Sequence, residues 1–179
     1  TLLQEGDYTK KENGVSDLID DLNSCGVGFF VLSHLQKTYL DGAAFICNKN
    51  PFVVYTCRYD RIDNFWFVVA HEIAHILNHY DFLNEPFLDN LDEKAESERE
   101  KQADSCAGRY LNQNIVIEVG QQYGKYLNAS RLNLISEQSQ VSVPVALGML
   151  QHFGLLDWRQ FAKYKEHVKE LIPNEFIRG

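Results

Sequence analysis

Phe65-Trp66-Phe67-Val68-Val69-Ala70-His71-Glu72-Ile73-Ala74-His75-Ile76-Leu77 is an apolar run interrupted by three ionisable residues. The pattern H-E-x-x-H predicts a buried helix with a metal-binding face. Two histidines four residues apart on a helix stand about 6 Å apart along its axis, on nearly the same side. From there both imidazoles reach one zinc ion at about 2.0–2.1 Å. Glu72 lies beside that metal rather than on it, which suits a general base acting on zinc-bound water. With 6 histidines in 179 residues, chance placement gives about 0.01 such matches. Buried ionisable groups are costly unless something pairs with them, and a metal would.

Two histidines leave a tetrahedral ion short of the three protein ligands that a catalytic site uses. His79 extends the four-residue spacing but lies about 12 Å from His71 along the axis. It is expected to be a helix-end residue or a histidine near the cleft. Asp81 completes H-E-x-x-H-x-x-N-x-x-D, a shape that metzincin-like enzymes use when the chain turns back; here Asn78 would have to make the turn. Glu100 is the preferred third ligand. Ser97 to Ala107 reads as a second helix that holds Glu100 and Asp104 at i, i+4, so one can bind metal while the other fixes a ligand histidine. Ala103, Ala107 and Leu111 share the Glu100 stripe, which is expected to point inward. Glu96 and Glu98 are substitutes, although acidic residues in this stretch mostly mark a solvated face.

Phe67-x-x-Ala70-His71-Glu72-Ile73-Ala74-His75-Ile76-Leu77, followed by Glu100-x-x-Ala103-Asp104-x-x-Ala107-x-x-Leu111, resembles the ImmA/IrrE-type zinc metallopeptidases. Those are gluzincin-like bacterial and phage proteins that cleave DNA-binding repressors or antitoxins. The chain departs from their usual pattern at Asp104 (usually Asn), at Cys106 (usually Phe) and at Arg109-Tyr110-Leu111-Asn112-Gln113, where a Met-Pro follows paired leucines. The resemblance covers roughly residues 14 to 155. It implies His71, His75 and Glu100 as zinc ligands, Glu72 as the catalytic base and Asp104 as the support behind a ligand. The implied activity is Zn²⁺-dependent endoproteolysis of a protein substrate, a DNA-binding regulator or a toxin–antitoxin partner. The alternative, from another class, is a non-catalytic regulatory or antitoxin module that keeps the fold for binding.

Ser16 to Leu22 reads as a capped amphipathic helix ending before Gly26. Val27–Leu32, Ala43–Cys47 and Phe52–Cys57 read as strands, with a turn at Asn48-Lys49-Asn50-Pro51. The third strand is considered as a sheet edge for an extended substrate, or as a plain core strand. From Glu93 onward the patterns are helical. Strands followed by helices indicate α+β, and the resemblance sharpens this to a small three-stranded sheet packed on a zincin active-site helix, followed by a helical C-terminal half. Residues 1–13 are expected to be a linker or remnant of a missing N-terminal domain, 14–172 the metallopeptidase domain and 173–179 a tail. The resemblance implies a helix-turn-helix domain before residue 1.

A net charge of −8 argues against direct nucleic-acid binding by this segment, since phosphate needs a basic face. It suits a substrate with basic patches. Cys25, Cys47, Cys57 and Cys106 form no C-x-x-C pair and read as buried free thiols. No run reaches membrane length, so the cytoplasm is the expected compartment. Val141 to Leu156 has helix-turn-helix cadence but no Lys or Arg over 141–157, so packing is the expected role. Lys163 to Lys169 reads as a solvated helix face. His152 is weighed as an oxyanion donor against an ordinary structural histidine.

Overall fold

A computed structural model describes residues 8–32, 40–83 and 93–178. The architecture is mixed α/β. After a short 3₁₀ turn at Tyr8–Lys10 come helix α1 (Gly14–Ser24) and strands β1 (Gly28–Leu32), β2 (Gly42–Cys47) and β3 (Asn50–Tyr55). Helix α2 (Ile62–Asn78) carries the histidines, and the short α3 (Tyr80–Leu83) follows it. Then come α4 (Glu93–Tyr110), α5 (Gln113–Tyr123), α6 (Ala129–Ser139), α7 (Val143–His152) and strand β4 (Ile177–Arg178).

The sheet order is β2-β3-β1-β4. β2 and β3 form an antiparallel hairpin with Cys47 opposite Asn50, so the loop is the dipeptide Asn48-Lys49. Both residues have positive φ, 51° and 67°, the conformation that matches the right-handed twist of a two-residue hairpin. Asn48 tolerates that region better than most residues because its short polar side chain adapts to it. β1 runs parallel to β3 and also to β4. The third strand is therefore central. The edge strand that packs beside α2 is β2.

Burial alternates along β1, with Phe29 and Val31 inward, as a half-covered sheet requires. That face meets α2 through Phe65, which packs edge-on against both Phe29 and Tyr55. Trp66 stacks near Tyr8, so the turn at 8–10 belongs to the body and not to a linker. Burying each large side chain here stabilises the fold by about 1.5–3 kcal/mol relative to exposure. α7 begins with Pro144 in its first turn, where the missing N–H costs nothing.

Several sequence expectations shift. Within the segment expected as a tail, residues 173–178 join the body: Phe176 packs on Phe29 and Ile177-Arg178 adds a fourth strand beside Val31-Leu32. Lys163 to Lys169 is not a helix: 3₁₀ turns at Ala162–Tyr164 and Lys169–Leu171 flank an irregular stretch that ends at buried Val168. Asp60 pins that end. Its carboxylate accepts the backbone N–H groups of Val168 and Lys169, each at 2.9 Å, and lies 3.1 Å from His167 Nδ1. Burial pushes that carboxyl up, but these donors outweigh it and hold it below the usual range. Cys57 and Cys106 are buried as expected, whereas Cys25 and Cys47 are exposed. Among the described residues no helix is long and apolar enough to cross a membrane.

Gly42 sets the distance between sheet and helix. A Cβ there would meet Val68 Cγ1 at 2.4 Å and Glu72 Oε1 at 3.1 Å. We expect Gly42→Ala to destabilise the protein by about 1–3 kcal/mol through overpacking. Urea denaturation checks this, and an unchanged midpoint would contradict it.

Candidate metal centre

α2 is helical through Asn78, and its last turn is closed by the His79 N–H on the His75 carbonyl at 2.8 Å. The chain therefore does not turn back at Asn78, whose amide instead donates to the Ala74 carbonyl at 2.8 Å. Asp81 sits exposed on α3. It is not part of the one cluster of metal-capable side chains found among the described residues, which is His71, His75 and Glu100. Glu98 is exposed and pairs with Lys101. The Glu96 side chain lies outside the described residues.

α4 reaches the histidines because its contact with α2 is made of small side chains. Ala74, Ala103 and Cys106 form a buried cluster, and small residues at a crossing let helix axes approach closely. Ala103, Ala107 and Leu111 are buried, but Glu100 is not: 52% of its side chain is exposed. The expectation that it points inward is corrected. Glu100 sits at the lip, and its carboxylate lies 3.1 Å from His71 Nε2 and 3.2 Å from His75 Nε2.

The donor set fits a zinc ion. Ligand atoms at 2.0–2.1 Å in a tetrahedron stand about 3.3–3.4 Å apart. Here the two Nε2 atoms are 3.0 Å apart, and each is within 3.2 Å of a Glu100 oxygen. His71 Nδ1 is 2.9 Å from Asp104 Oδ1 and donates to it, because an ionised carboxylate can only accept. In the neutral ring that leaves His71 Nε2 as a bare lone pair. Lone pairs and a carboxylate oxygen gathered at this spacing repel one another unless a cation lies between them. Burial also lowers the His75 pKa, which favours the neutral, ligating form.

Glu72 is 8% exposed. Burial, reinforced by the Glu100 charge, pushes its carboxyl up to about 8, against the pull of the Ala44 N–H on β2. It lines a cavity of about 640 Å³ together with His71. One wall is the stripe Asn64, Phe67, Val68, His71 of α2, and the facing wall is Val145, Gly148, Met149, His152 of α7. Both follow the i, i+3, i+4, i+7 helical spacing. The stretch with helix-turn-helix cadence thus packs as expected and also walls the cleft. Exposed Tyr59, Phe153 and Trp158 stand at its rim.

His79 is the helix-end residue that its spacing predicts, but its contacts with His75 and Gln102 were not foreseen. It is buried at the end of α2, with Nδ1 3.1 Å from His75 Nδ1 and Nε2 3.1 Å from Gln102 Oε1. The spacing H-x-x-x-H-x-x-x-H is the available signal, and it bears on support of a neighbouring histidine as well as on direct ligation. Compared with models of protein families and with characterised protein sequences, the chain matches none.

Two measurements follow from this geometry. Glu100→Ala should lower zinc affinity strongly and Asp81→Ala hardly at all, while Asp104→Ala should lose about 10–100-fold; competition with a chromogenic chelator reads all three. In metal-free protein, the unfolded chain releases the Glu72 proton near 4.5 while the folded chain keeps it to about 8. Stability should therefore fall as pH rises through that window. Glu72→Gln should flatten the profile of thermal midpoint against pH, and an unaltered slope would show that Glu72 is not its source.

Proposed function

We propose that this chain is a zinc-dependent endopeptidase of the ImmA/IrrE type, with a zincin-like arrangement of sheet edge, metal helix and ligand helix. The observation that carries the reading is the set His71, His75 and Glu100 converging beside a buried Glu72 at an open cleft. His71, His75 and Glu100 would hold the ion, and Asp104 would orient His71. When bound, zinc supplies Lewis acidity to the scissile carbonyl and to the attacking water.

The chain's own residues supply the rest. Glu72 takes a proton from the attacking water and passes it to the leaving amine. A carboxyl pushed up to about 8 in the metal-free site by burial is suited to holding a proton near neutral pH. The Ala44 N–H fixes that carboxylate against β2. β2 is the sheet edge beside the metal helix, and an extended peptide can pair with such an edge through main-chain hydrogen bonds. The apolar inner wall of Phe67, Val68, Val145 and Met149 would take a substrate side chain out of water.

The substrate class we infer is a protein with basic patches, such as a DNA-binding regulator, since the chain is acidic. The cytoplasm is the compartment proposed with it. A regulatory or antitoxin module that only binds would need neither a base nor an open cleft. Glu72 and about 640 Å³ of space beside His71 favour turnover.

Glu72→Gln is expected to retain zinc and to lose cleavage of a basic DNA-binding protein offered as substrate by at least about 100-fold. Gel assays with the zinc-loaded variant check it. Undiminished proteolysis by that variant would rule out Glu72 as the base.

A further inference from the structure

His75 has a second partner that the metal-centre reading does not use, and its chemistry constrains where the proton on His75 must sit. Two ring nitrogens, His75 Nδ1 and His79 Nδ1, face each other at 3.1 Å. A hydrogen bond between them needs one donor and one acceptor. The other end of His79 decides which is which. Its Nε2 is 3.1 Å from Gln102 Oε1, an oxygen that only accepts, so Nε2 carries the His79 proton. His79 Nδ1 is then a lone pair, and His75 must donate to it from Nδ1. The remaining nitrogen, His75 Nε2, is left bare, and it is the one that faces His71 Nε2 and Glu100.

We propose that His79, held by Gln102, is a positioning residue that fixes the tautomer of His75 and aims its Nε2 lone pair at the metal position; the proposal rests on the metal-centre reading. The two ligand histidines are thus supported differently. His71 donates to the carboxylate of Asp104, which raises its basicity as a ligand. His75 donates to a neutral imidazole, which orients it without adding negative charge. α4 supplies Glu100, Gln102 and Asp104, so one helix carries the third ligand, the support of His71 and the residue that holds His79. His79 is 5% exposed, and its backbone N–H closes the last turn of α2 on the His75 carbonyl. Main chain and side chain of His79 therefore both register on His75.

Long-range ¹H–¹⁵N correlation spectra of the zinc-free, full-length chain test this directly. The wild-type protein should show His75 as the Nδ1–H tautomer, and His79→Leu or Gln102→Ala should shift it toward a mixture. Zinc affinity, read by chelator competition, should fall about 10–100-fold in His79→Leu. His79→Gln, whose side-chain carbonyl can accept the same proton, should recover most of that loss. A merely structural role for His79 would move neither the tautomer nor the rescue. Gln102→Ala, an exposed substitution, serves as the second variant should His79→Leu not fold. An Nε2–H tautomer of His75 in the wild-type protein overturns the proposal, as does wild-type zinc affinity in folded His79→Leu. A wild-type chain that binds no zinc overturns the metal-centre reading instead, and the tautomer spectrum then still decides this one.

Discussion

The close approach of α4 to α2 is the constraint on which the site depends. Ala74, Ala103 and Cys106 bury one another where the helices meet, and small side chains let the axes approach closely. Glu100, Gln102 and Asp104 gain their reach from that contact. Glu100 meets both His71 and His75 even though half its side chain remains in water. The packing of small residues is thus what turns a surface glutamate into part of an inner site.

The adjoining side of α2 solves a different problem. Glu72 is buried against β2, and the absence of a side chain at Gly42 makes room for it. The same helix therefore presents two histidines to the carboxylates of α4 and a buried carboxyl to the sheet. Burial beside Glu100 drives the Glu72 carboxyl toward its protonated form, while the Ala44 N–H steadies the ionised one. Opposed influences of this kind keep a group within reach of both protonation states near neutral pH. Between these faces, Phe65, Trp66 and Val69 tie the helix into the core, so the site sits on a rigid element.

The C-terminal segment shows where local patterns lose to tertiary contacts. Alternating charges from Lys163 to Lys169 suggest a helix, yet Asp60 captures the backbone N–H groups of Val168 and Lys169. Those groups would otherwise be drawn into helical bonds, and the buried Val168 holds the turn closed. The same logic carries the chain back to the sheet, where Ile177-Arg178 pairs with β1. A two-residue strand has no periodicity to read.

By itself the sequence determined the mixed strand-then-helix order, a turn within Asn48-Lys49-Asn50-Pro51 and the helix bearing His71, Glu72 and His75. Each of these is written in local spacing: period 2, a run of turn residues, or i, i+4. Tertiary structure alone decided that β2 rather than β3 is the edge beside α2, that α7 walls the cleft, that Glu100 lies against His71 and His75, and that His79 meets both His75 and Gln102. Those depend on which elements become neighbours, and residues 23 positions apart, such as His79 and Gln102, leave no periodic trace. The exposure of Glu100 belongs to the same class. Helical stripes tell which residues share a face, but only the packed partner determines how much of that face water still reaches.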